Sequence, residues 1–193
     1  MDENLAKIRH ERSKKDFPGL RLEEGEYVEF FFKRTKVVLG LICGATFAGL
    51  VVILLAFLLV LLNQDSIDEM GRNFLFFILF ALLAAALIIS MIAIRVYNGN
   101  RLYITNKHVM QMVMDSLVST SINIIDLESV EDASFRQTSI WQKLFHYGTF
   151  RLSTVGDETT YTFPYSDISP TELKKVTELI TEAKRLCKNQ ECK

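Results

Sequence analysis

Two apolar runs dominate the pattern of hydrophobic and polar positions. Val37 to Leu62 is 26 residues without a charge, and Phe74 to Ile94 is another 21. At about 1.5 Å rise per residue, each helix would match or exceed a hydrocarbon core about 30 Å thick. Neither run carries the polar stripe that a long helix on a soluble core shows. The pattern predicts two transmembrane helices, at about residues 37–62 and 74–95, folded as a hairpin within residues 36–96. A signal peptide does not account for the first run, which begins after 36 mostly polar residues and outlasts a hydrophobic region of about 7–15 residues.

From Arg101 the apolar positions alternate instead. Residues 101–105 (RLYIT) and 108–114 (HVMQMVM) predict strands turned at Asn106-Lys107, and residues 117–125 and 129–135 predict two more. Ser139 opens IWQKLFHY, one or two helical turns that group Ile140, Leu144 and Phe145 on a face. Gly148 is expected to end this insert in the left-handed conformation that glycine adopts without steric penalty. Residues 149–155 and 159–165 then read as a hairpin turned at Gly156-Asp157-Glu158, with Tyr161, Phe163 and Tyr165 on one side. Ser169-Pro170-Thr171-Glu172 is a capping box with proline at the first helical position. Leu173, Val176, Leu179, Ile180, Ala183 and Leu186 follow at helical spacing.

These elements predict a mostly-β, α+β domain over residues 97–187, a small open barrel of about six short strands closed by one C-terminal helix. Residues 1–35 read as a separate N-terminal segment and residues 188–193 as a tail.

The net charge of −1 gives no basic surface for nucleic acid. The placement of charge says more. Lys33, Arg34 and Lys36 precede the first span, and Arg95, Arg101 and Lys107 follow the second, whereas the connecting loop sets Arg72 against Asp65, Asp68 and Glu69. Basic residues beside spans resist translocation, so both termini are expected in the cytoplasm, on a multi-pass protein of the cell membrane. Cys43 lies inside the first span and Cys187 and Cys192 near the end, a spacing that forms neither a disulfide framework nor a metal template. No metal or cofactor is expected.

Small residues recur in both spans: Gly40 and Gly44 in the first, Ala81 and Ala85 in the second. Such positions let helix backbones approach closely in lipid. Packing of the two spans on each other is the simpler reading, and homo-oligomerisation through Gly40 and Gly44 the sharper one. Neither span holds an ionisable residue, which argues against an ion or proton pathway.

RLYITNKHVMQM, followed by INIIDLESVEDASFRQTSIWQKLFHYGTFRLSTVG, resembles the membrane-flanked bacterial PH (pleckstrin homology) domain family, the YdbS-like proteins. The matching features are the Leu102–Asn106 strand and turn, the Leu127-x-x-Val130 step, the Gln137-to-Phe145 insert and the strand starting Gly148-Thr149-Phe150-Arg151-Leu152. LEEGEYVEFFFKRTK also looks like the segment that precedes the first helix in that family. Asp115-Ser116 departs from it, standing where a glycine often follows the second strand. The resemblance implies a bent antiparallel sheet capped by a C-terminal helix, and it brings no catalytic residues with it.

Chemistry is sparse. His10, His108 and His146 accompany no nucleophile at an interpretable spacing, and Gly99 and Gly156 form no phosphate loop. Inositol-lipid recognition needs several converging cations, and the first hairpin offers Arg101 and Lys107. Met110, Met112 and Met114 share a strand face, where core filling is the default and an adaptable binding surface the alternative. Trp141, Phe145, His146 and Tyr147 form the candidate interaction surface, with Trp141 reading either as a docking anchor or as a core lid over one open end of the sheet. The expected function is non-catalytic: an integral-membrane protein-interaction or scaffolding module. Its expected partners are membrane lipids, an unidentified membrane or cytoplasmic protein and a second copy of itself. The alternatives are a small transporter or permease subunit, or a lipid-headgroup-binding module.

Overall fold

The computed structural model describes residues 3–63, 68–154 and 160–191. The chain forms two compact units. One comprises Met1–Thr35, Asn98–Asp115 and Ser119–Lys193, and the other Lys36–Tyr97 with Ser116–Val118.

The first unit is built on two antiparallel sheets. After helix α1 (Glu3–Asp16) comes strand β1 (Val28–Lys33), then, beyond the helical hairpin, β2 (Arg101–Thr105), β3 (His108–Met114) and β4 (Thr120–Asp126). These four strands pair in chain order. A 3-10 turn at Leu127–Ser129 leads to β5 (Val130–Arg136), which forms the second sheet with β6 (Gly148–Thr154) and β7 (Thr160–Ser166). A short helix, which we number α4 (Ile140–Leu144), interrupts the second sheet between β5 and β6, and α5 (Pro170–Glu191) ends the chain. The Gly156-Asp157-Glu158 turn expected between β6 and β7 lies outside the described residues.

The core lies between the sheets and α5. Phe32, Leu102, Ile104, Val109, Leu127, Val130, Phe150, Leu152 and Phe163 meet Val176 and Ile180 there. Helix α5 starts as its sequence predicts. The Ser169 N–H donates to Glu172 Oε2 (2.9 Å) and the Glu172 N–H to Ser169 Oγ (3.2 Å), so two donors at the helix start are satisfied reciprocally.

Two expectations about this unit are corrected. The N-terminal 35 residues are not a segment apart: β1 is a seventh strand, pairing with β2 from Val28↔Thr105 to Lys33↔Arg101. Its burial explains the pairing, because Phe32 joins the core while Phe31 stacks on Tyr103 from the opposite face at 4.9 Å. Gly148 is not left-handed either. That conformation falls to His146 (φ 55°), and Gly148 instead opens β6 where any side chain would meet the Arg136 carbonyl oxygen at 2.6 Å.

The second unit is a helical hairpin, α2 (Lys36–Leu62) and α3 (Glu69–Gly99). Both helices are long and apolar enough to cross a membrane by length and composition. They pack along a seam that recurs about every 3.5 residues. Half-buried positions recur at Leu39, Ile42, Thr46, Ile53 and Val60 on α2 and at Phe76, Leu79, Leu83, Ala86 and Ser90 on α3. The Thr46 and Ser90 hydroxyls hydrogen-bond at 3.1 Å, and Phe57 packs on Phe76. This seam differs from the expected contact. Gly40, Gly44, Ala81 and Ala85 are all exposed, and a side chain built at either glycine would meet nothing within 4 Å.

Candidate functional site

The insert between β5 and β6 holds its shape by polar contacts rather than by burial. Gln142 Oε1 accepts the Thr138 N–H (2.6 Å) and the Ser139 N–H (3.1 Å), closing the start of α4. Gln137 Nε2 donates to the carbonyls of Gln142 (3.2 Å) and Tyr147 (3.1 Å), tying the exit of the insert to its entry. The left-handed His146 then reverses the chain into β6.

On this frame Ile140, Trp141, Leu144 and Phe145 all project into solvent, Trp141 with 63% of its surface exposed. The Trp141 and Phe145 rings stack at 6.2 Å. Of the four residues expected on this surface, Trp141, Phe145 and His146 are exposed and Tyr147 is not. Tyr147 is 7% exposed, with its ring 6.3 Å from Tyr165. Trp141 is therefore no lid over the sheet. Ile140 and Leu144, read from the sequence only as one apolar face, belong to the exposed patch.

A second constellation escaped the sequence reading altogether. Glu26, just before β1, is fully buried and receives hydrogen bonds from Thr105 Oγ1 (2.6 Å) and from its own neighbour's backbone, the Glu23 N–H (2.8 Å). His108 Nδ1 lies 2.9 Å from the same carboxylate, and His108 Nε2 3.5 Å from Asp126. Burial alone pushes the Glu26 carboxyl up. The hydrogen bonds from Thr105, the Glu23 backbone and His108, with the attraction of the His108 charge, outweigh it and hold the group below its ordinary value. Around this centre the Tyr27 N–H donates to Asn106 Oδ1 (2.9 Å), and Lys107 pairs with Glu23 at 3.0 Å. The arrangement clamps the N-terminal segment onto the β2–β3 turn. No spacing could have signalled it, because Glu26 and His108 are 82 positions apart. Thr105, the hydroxyl nearest the pair, is fully buried.

The outer face of the four-stranded sheet holds a third feature. Of the methionines that share a strand face, Met110 is buried and Met112 half-buried, and both line an apolar cavity with Tyr103, Ile122, Ile124 and Gly19–Arg21. Among the described residues no group of His, Cys, Asp and Glu is placed to hold a metal ion.

The family described as bacterial PH domain matches residues 35–184, most of the chain and both helices of the hairpin included. This chain belongs to the bacterial PH-domain family. The crystal structure of a DUF1696 family protein with a pleckstrin-homology domain, from Shewanella loihica PV-4, is similar over 44% of this chain and 70% of that one, at 9% identity and a TM-score of 0.33. No curated protein matches this chain. A PH-like domain supports a protein- or lipid-interaction role.

Proposed function

We propose that this bacterial PH domain is an integral-membrane interaction module whose hairpin spans the cell membrane and whose α4 docks a protein partner in the cytoplasm. The observation that carries the reading is the exposure of Ile140, Trp141, Leu144 and Phe145 together on one hydrogen-bonded turn. Single exposed apolar residues are ordinary, but a contiguous group centred on a tryptophan has the composition of an interface hot spot. Because α4 is held by Gln137 and Gln142, its side chains are ordered in advance, and binding forfeits little conformational freedom.

Connectivity supports the membrane assignment. Strands β1 and β2 are neighbours in one sheet, and the hairpin is the chain between them. The chain must leave and return on the same side of a bilayer, and two spans meet that condition. The basic residues flanking the spans favour the cytoplasm for that side. Transport is the weaker reading, since neither span carries an ionisable residue between Val37 and Leu62 or between Phe74 and Ile94.

The test places a photo-crosslinking amino acid at Ile140 of the full chain in intact membranes. Discrete protein adducts that disappear with Phe145→Ser support protein docking. Adducts to lipid alone would show that α4 meets the bilayer instead. Reporters fused at Met1, in the loop at Ser66 and at Lys193 check the topology, and an extracytoplasmic signal from Lys193 would overturn it.

A further inference from the structure

The apolar cavity on the outer face of the four-stranded sheet is independent of α4. Its volume is about 160 Å³. Apolar walls offer water few hydrogen-bond partners, so an apolar guest is favoured over water there. Tyr103 forms its floor, fixed by stacking on Phe31 at 4.9 Å and on the edge of Phe17 at 5.3 Å. Met110 and Met112 supply unbranched, adaptable walls. On the open side Ile122 and Ile124 remain exposed on β4, so the apolar track continues beyond the enclosed volume.

The rim carries the second half of the argument. Arg21 lines the mouth, is exposed, and makes no ion pair or hydrogen bond within the described residues. The nearby Glu23 is engaged by Lys107 at 3.0 Å and does not pair with Arg21. An apolar slot that opens beside a free guanidinium is complementary to an amphiphile with a short anionic head, and a guanidinium fork pairs bidentately with a carboxylate.

We propose that this cavity binds a medium-chain fatty acid, its alkyl chain over Tyr103, Met110 and Met112 and its carboxylate on Arg21. Occupancy would fill the space under the Gly19–Arg21 roof and cover Ile122 and Ile124, the apolar residues that the sheet otherwise leaves bare.

The experiment uses the full chain in phosphatidylcholine nanodiscs with ¹³C-methyl methionine, titrated with dodecanoate. Saturable shifts of the Met110 and Met112 methyls are expected, whereas Met91 in the hairpin reports simple partitioning into the bilayer. Arg21→Gln should weaken binding about tenfold, the loss expected for one charge-assisted contact. Ile124→Phe should abolish it by filling the slot. Both positions are exposed, so both variants should melt with the parent. Shifts confined to Met91 overturn the proposal. So does binding of dodecanol or lysophosphatidylcholine as tight as that of dodecanoate, or indifference to Arg21→Gln.

Discussion

Helices α4 and α5 begin alike and end in opposite environments. In each, a serine N–H is accepted by a side chain three residues on, Ser139 by Gln142 and Ser169 by Glu172. Each continues with large apolar residues at helical spacing. Yet Val176 and Ile180 of α5 are buried, while Ile140, Trp141 and Leu144 of α4 are exposed. The start of a helix is decided by a few neighbouring residues, because capping is a local exchange of hydrogen bonds. Whether its apolar face is covered depends on what the rest of the fold puts opposite. For α5 that is β5 and the Leu127 turn, where the two sheets leave an apolar gap. For α4 the fold provides no such gap.

The sharpest way to break this contrast is to empty the buried side of it. Ile180→Ala should destabilise the sheet unit by about 2–5 kcal/mol, as for other buried isoleucines. Denaturant unfolding of the full chain measures it, and a loss below about 1 kcal/mol would mean that α5 is not the plug of this core. Next in size is the base of the insert. Gly148→Ala forces a methyl group against the Arg136 carbonyl oxygen and the Phe135 ring, and should cost about 1–3 kcal/mol. His146→Gly should be neutral or stabilising by up to about 1 kcal/mol, because the left-handed backbone passes to the residue that tolerates it.

Acid should act through the clamp at Glu26 and leave the insert alone. Because the folded state holds the Glu26 carboxyl below its ordinary value of 4.5, the stabilisation it contributes is present above that value. It is lost as pH falls through the lower, folded value. Glu26→Gln should flatten this part of the stability profile. Amide protection factors in residues 137–147, corrected for the intrinsic pH dependence of exchange, should stay unchanged over the same pH range, and a matching loss of protection there would show that clamp and insert are coupled.

The smallest expected change in stability belongs to Trp141→Ala. A side chain that is mostly in water should contribute within about 0.5 kcal/mol, and the melting temperature should match that of the parent. The same variant should lose the protein adducts formed from Ile140. A drop of several kcal/mol would place Trp141 in a core after all and end the contrast between the two helices.

Much of the fold was legible along the chain because its signals are local and periodic. The six strands from Arg101 onward, the α4 insert and the Ser169 capping box all follow from alternation, helical spacing and start chemistry within a few residues. Strand β1 was not legible as a partner of β2. The VEFFFK segment stands beside an apolar run, and the 67 positions from Arg34 to Asn100 that separate the two strands carry no signal of their meeting. The candidate surface was read in part. An aromatic-rich insert is visible in residues 139–147, but periodicity cannot separate Tyr147, which turns inward, from Trp141, which does not.

By itself the sequence determined the order of elements from Arg101 onward, the length and apolar character of the two long helices and the starts of α4 and α5. Each depends on interactions within one or two turns or one strand. Tertiary structure alone decided the rest. It joined β1 to β2 across the hairpin, sealed Glu26 against Thr105 and His108, and moved the hairpin seam from Gly40 and Gly44 to Leu39, Ile42 and Thr46. It also gathered Met110, Met112 and Tyr103 around one cavity. These outcomes share one physical reason: a side chain's environment is set by residues distant in sequence, and a local pattern specifies that a face is apolar without specifying what will cover it.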